Sequence, residues 1–130
     1  MPNFGKKSKL MLDNVHPDIV LVLNDVIVYF DFSIISGHRG QLEQTQIFNE
    51  GWSKSPWPTS KHNTDPSEAV DIAPYPIDWD KPNRFIYLAG HIMAAARKFA
   101  VPIRWGGDWK MSNMVFPQTF NDWGHFELRK

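Results

Sequence analysis

The chain contains no cysteine. Neither disulfides nor a thiolate-bound metal can hold it together, so its 130 residues must bury a core of their own. A chain of that length fits one domain, residues 1–130, and can bury such a core without staples. Any metal it binds must rest on His, Asp or Glu. Ten prolines predict many pinned turns and a loop-rich fold.

Charge is balanced, with 14 basic and 14 acidic residues. That gives no general pull towards nucleic acid, and no nucleic-acid partner is expected. No apolar run approaches the roughly 20 residues that cross a bilayer, so no stable membrane association is expected. The basic start, Met1 to Lys9, lacks an apolar stretch behind it and does not read as a secretory signal. Residues 1–8 read as a loose arm.

Apolar residues Ile19, Val20, Leu23, Val26 and Ile27 recur at helical spacing and predict a helix from Pro17 to about Tyr29, although their β-branching also suits a strand. Residues 32–36 read as a strand. Residues 41–50 read as a short helix stopped by Gly51, with Leu42, Thr45, Ile47 and Phe48 available for packing. Residues 51–67 read as an irregular loop, 68–73 as a strand, 78–83 as a turn, 84–100 as the clearest helix, and 103–105 and 123–129 as strands. Mixed helices and short strands predict an α+β domain.

Three stretches carry the chemistry: Ser60-Lys61-His62, Ala69-Val70-Asp71 and Asp122-Trp123-Gly124-His125. Two histidines and one carboxylate would leave a fourth metal position open, which distinguishes a catalytic zinc from a structural one. Asp122, three residues before His125, is a candidate general base. Each residue also has a bland reading. A lone histidine is more often a surface or core residue than a ligand, and Asp71 could cap a turn. Four of the six tryptophans, Trp57, Trp105, Trp109 and Trp123, flank these motifs, and each could pack in the core or wall a cleft.

Taken together, Ser60-x-His62, Ala69-x-Asp71 and Asp122-x-x-His125 resemble the zinc D,D- and L,D-peptidases of bacterial cell-wall peptides. The Ser36-Gly37-His38-Arg39 turn, Phe48-x-x-Gly51-x-Ser53 and Trp105-Gly106-Gly107-Asp108-Trp109 extend the resemblance over Asp31 to Glu127, towards the L-alanyl-D-glutamate endopeptidases that phages use as endolysins. It implies a short antiparallel sheet carrying the zinc site with flanking helices, as in D-alanyl-D-alanine carboxypeptidases and hedgehog-like domains. It implies Zn2+ held by His62, Asp71 and His125, Asp122 as general base, and Arg39 on the oxyanion of the tetrahedral intermediate. Ser60 and Asp108 would orient ligands or substrate, and Trp105 and Trp109 would line the substrate site.

The implied substrate is a peptidoglycan stem peptide, with the L-alanyl-D-glutamate bond as the leading cleavage site, and a monomer is the default expectation. The implied route is synthesis in a host cytoplasm, then holin-type release to the wall. Alternatives are a D-alanyl-D-alanine carboxypeptidase or dipeptidase, a non-catalytic wall-binding module and, more weakly, a metal-dependent nuclease. One departure stands out. His62 and Asp71 lie nine positions apart, a two-residue loop extension on the family's usual spacing. A loop can absorb that without moving either ligand.

Overall fold

A computed structural model describes residues 2–115, 118 and 120–129. The described elements run α1 (Lys6–Leu12), α2 (Pro17–Ile27), β1 (Phe32–Ser36), α3 (Gln41–Asn49), a 3₁₀ turn (Lys61–Asn63), β2 (Ala69–Pro74), α4 (Pro82–Lys98), β3 (Ile103–Trp105) and β4 (His125–Leu128). The four strands form one antiparallel sheet in the order β1-β2-β4-β3. This is the expected α+β arrangement.

Alternation along the strands sorts the sheet into two faces. Phe32 and Ile34, Val70 and Ile72, Ile103 and Trp105, and Phe126 and Leu128 all join one apolar core with α2 and α4. The residues between them, Asp71, Arg104, His125 and Glu127, share the opposite face. Register brings these into line, pairing Asp71 with His125 and Arg104 with Glu127. A register shift between Ile34 and Ser36 sets Ser36 rather than Ile35 across from Asp71. The β-branched run at 17–27 is a helix because its apolar residues fall on one buried stripe, and the His16 side chain caps it by accepting from Asp18 N at 3.1 Å.

The loose arm expected over residues 1–8 is corrected in part. Residues from Lys6 onward are helical, Phe4 is buried edge-on against Phe32, and the Ser8 hydroxyl accepts from Ile34 N at 3.1 Å. The arm is tied down because β1 would otherwise leave that buried N–H unpaired. Helix α3 also differs from expectation. Leu42 is 88 % exposed, whereas Gln44 is fully buried. Gln44 donates to Ser53 Oγ and Ser55 O and accepts from Asn63 Nδ2, so a polar network rather than an apolar face fastens this helix.

Helices α3 and α4 end alike. Gly51 N donates to Phe48 O and Trp52 N to Ile47 O, while Ala100 N donates to Arg97 O and Val101 N to Ala96 O. Both are Schellman closures that need a left-handed residue, supplied by Gly51 at φ 82° and by Ala100 at φ 55°. Alanine is strained there, and glycine is not. Ala100→Gly should therefore stabilise the fold by roughly 0.5–1 kcal/mol, read as a higher urea midpoint at unchanged m-value.

Candidate active site

His62 sits on the 3₁₀ turn, which a reciprocal cap shapes. Ser60 Oγ accepts from His62 N at 3.1 Å, and Asn63 Oδ1 accepts from Ser60 N. The ring is then fixed from behind, because Nδ1 lies 2.7 Å from the Gly37 carbonyl. A carbonyl only accepts, so Nδ1 carries a proton, and in the neutral ring Nε2 is left as a bare lone pair. That Nε2 is buried and has no hydrogen-bond partner among the described residues. An orphaned buried acceptor is costly and calls for an explanation.

The explanation lies in what it faces. His62 Nε2 is 3.4 Å from Asp71 Oδ2, and His125 Nδ1 is 3.0 Å from Asp71 Oδ1. One ligand atom from each of the three residues lies within 4.8 Å of the others, so the cluster could hold a metal ion. Two imidazoles and a carboxylate suit zinc and leave room for a further ligand.

Asp122 reaches the cluster through a turn. His125 N donates to Asp122 O at 3.1 Å, and Asp122 Oδ2 lies 3.9 Å from His125 Nδ1. Two glycines make this possible by lacking a Cβ. At Gly124 a Cβ would meet Ile72 O at 2.3 Å, and at Gly106 it would meet Asp122 O at 2.3 Å. Close backbone approach, rather than a left-handed φ, is what requires glycine at 124.

Electrostatics follow from the packing. Burial alone would raise the Asp71 carboxyl, but attraction to the charged form of His62 and the bond from His125 outweigh it and hold it well below the usual carboxylate range. Burial, and then the negative charge of Asp71, push Asp122 above its ordinary value. Burial opposes the charged His125 ring, yet bonds to Asp71 and Glu127 push its pKa up to about 10.

Arg39 is also here. Its NH2 donates to Asp71 Oδ2 at 2.6 Å, its Nε to Ser36 Oγ at 3.0 Å, and its NH1 to Gln44 Oε1 at 3.4 Å. The register shift in β1 and the buried Gln44 thus both serve to aim one guanidinium at Asp71.

A cleft of about 510 Å³ opens above the cluster, walled by Trp52, Lys54, Arg104, Trp109 and Phe120. Trp109 is one of these walls. It stacks on Phe120 with centroids 6.3 Å apart and leans on the His125 ring at 5.5 Å. Ser60 acts on the backbone of His62. Trp105 and Asp108 do not line the cleft. Trp105 falls on the core side of β3 and donates to Trp123 O, while Asp108 accepts from Ser112 and Asn113 in its own loop.

Sequence reasoning missed Arg104 and Glu127, which alternation alone would have placed beside Asp71 and His125. The loop extension between His62 and Asp71 packs away from the cleft. Ser67 N donates to Asn14 O, and His16 N to Ser67 O.

A cleft floored by two histidines and a carboxylate is a site that could seat a metal ion for hydrolysis. The chain belongs to the phage L-alanyl-D-glutamate peptidase family, whose model matches residues 2–129. Its structure is similar to that of the L-Ala D-Glu endopeptidase ChiX of Serratia marcescens, with a TM-score of 0.78 and 27 % identity, covering 98 % of this chain and 91 % of that one. No curated protein sequence matches the chain. Among the described residues no helix is long and apolar enough to cross a membrane.

Proposed function

We propose that the protein is a zinc-dependent endopeptidase that cuts the L-alanyl-D-glutamate bond of peptidoglycan stem peptides. It acts as a monomeric phage or prophage endolysin, made in the host cytoplasm and released to the wall through a holin-type pore. The observation that carries the zinc assignment is the buried His62 Nε2, which has no hydrogen-bond partner among the described residues and faces Asp71 at 3.4 Å.

His62, Asp71 and His125 would hold the ion. Bound there, zinc supplies a Lewis acid for the scissile carbonyl and acidifies water. Asp122 accepts the proton of the attacking water and returns it to the leaving amine of D-glutamate as the C–N bond breaks. Its raised affinity for protons fits both halves of that task. Arg39 is fixed beside the cluster, where its charge meets the negative charge that grows on the carbonyl oxygen. Trp109 and Phe120 offer an apolar wall to an extended peptide.

Mass spectrometry of purified peptidoglycan after digestion tests the reading, run with zinc-loaded and with chelated protein. The expected product is new N-terminal D-glutamate, seen only with metal. Free D-alanine alone would move the protein to the carboxypeptidases. No product from folded, zinc-loaded protein would leave a wall-binding module.

Arg39→Ala should lower kcat more than it raises KM, with zinc content kept. If zinc affinity fell instead, the arginine would act through Asp71 rather than on the transition state.

A further inference from the structure

The two histidines of the cluster present opposite nitrogens. His62 offers Nε2 because a backbone carbonyl takes its Nδ1 proton. His125 turns its Nδ1 edge to Asp71, at 3.0 Å, while its Nε2 lies 2.8 Å from Glu127 Oε1. We propose that Glu127 is a positioning residue that fixes the Nε2–H tautomer of His125, so that Nδ1 is the atom presented to the metal. This rests on the metal reading above and adds a residue to it.

The geometry is that of a buried, fully committed carboxylate. Glu127 follows His125 by two on β4, so both side chains stand on the cleft face. It is 7 % exposed. Its second oxygen, Oε2, accepts from Arg104 NH2 at 2.6 Å and faces Lys61 Nζ at 3.5 Å. Arg104 is Glu127's partner in the β3–β4 register, and Lys61 is held close by also donating to the Leu128 carbonyl. With Oε2 taken by two cations, Oε1 has one orientation left, towards His125. A carboxylate can only accept, so the ring must donate from Nε2. A carboxylate behind a ligating histidine sets its tautomer and raises its basicity, and its loss costs about 10–100-fold in metal affinity.

Glu127→Gln makes the sharper variant because it keeps shape and loses the charge. Arg104 and Lys61 still demand an acceptor, so the amide oxygen turns to them and the NH2 group turns to His125. The ring must then accept at Nε2 and carry its proton on Nδ1, the edge the metal needs. Zinc affinity, measured by competition with a chromophoric chelator, should fall about 10–100-fold while near-ultraviolet circular dichroism stays unchanged.

Two-bond 1H–15N spectra of His125 supply the readout that a merely structural role would not move. In zinc-loaded wild type the proton belongs on Nε2, and in Glu127→Gln it moves to Nδ1. Folded Glu127→Gln with wild-type zinc affinity would overturn the proposal. So would zinc-loaded wild type with His125 bound through Nε2, a result that needs no variant at all. Wild type that binds no zinc would sink the metal reading and this one together, whereas zinc-binding wild type beside an unaffected variant would sink this one alone.

Discussion

Asp122→Ala should lose about 10²–10⁴-fold in kcat on purified peptidoglycan and keep its zinc. The distinction comes from position. Asp122 lies outside the three-atom cluster, 3.9 Å from the nearest ligand nitrogen, and partly open to the cleft. In the proposed mechanism it is the proton acceptor. Its ordinary carboxylate acidity is weakened by burial and by the neighbouring Asp71, which makes proton uptake easier than at a surface aspartate. Removing it takes away proton transfer and leaves the metal's own donors in place. Turnover and zinc content measured on the same preparation check this. Zinc loss as severe as that in a histidine variant would instead make Asp122 a ligand.

His62→Ala should lose both zinc and turnover, and here a second effect adds in. His62 is 2 % exposed, and its ring bonds the Gly37 carbonyl at 2.7 Å. Truncation leaves a cavity and strips that buried carbonyl of its donor, a cost of about 1–3 kcal/mol from the lost bond alone. The metal-free variant should therefore also unfold at lower urea than metal-free wild type. Calorimetric zinc titration and denaturation together separate it from Asp122→Ala, which should lose turnover alone. Zinc binding at wild-type strength in His62→Ala would show that the orphaned Nε2 serves something other than a metal.

Much of this site is legible in the chain because strands alternate. Val70-Asp71-Ile72 reads as apolar, polar, apolar, and the structure puts Asp71 on the cleft face. The same reading applied to Ile103-Arg104-Trp105 and His125-Phe126-Glu127 yields Arg104 and Glu127, whereas attention to aromatic and acidic motif residues favoured Trp105 and Asp108. Those two fall on the core side of β3 and in the following loop.

Other features lie beyond a local pattern. Gln44 is buried by partners from 53 to 63, and nothing in its own helix marks it as the anchor. The β1 register shift that turns Ser36 towards Arg39 depends on β2. Helix α1 is seven residues long, too short for periodicity to reveal, and is held by contacts to β1.

Asp71 and His125 belong to β2 and β4, the two interior strands, and are direct partners across them. His62 belongs to a single turn of 3₁₀ helix at the edge of a long connection. Interior strands part only when the whole domain does, while a lone turn can open by itself. On storage or warming, two legs of this tripod should outlast the third. On the proposed metal reading, the enzyme should then age by shedding its ion while still folded, and its working lifetime would be set by one short turn.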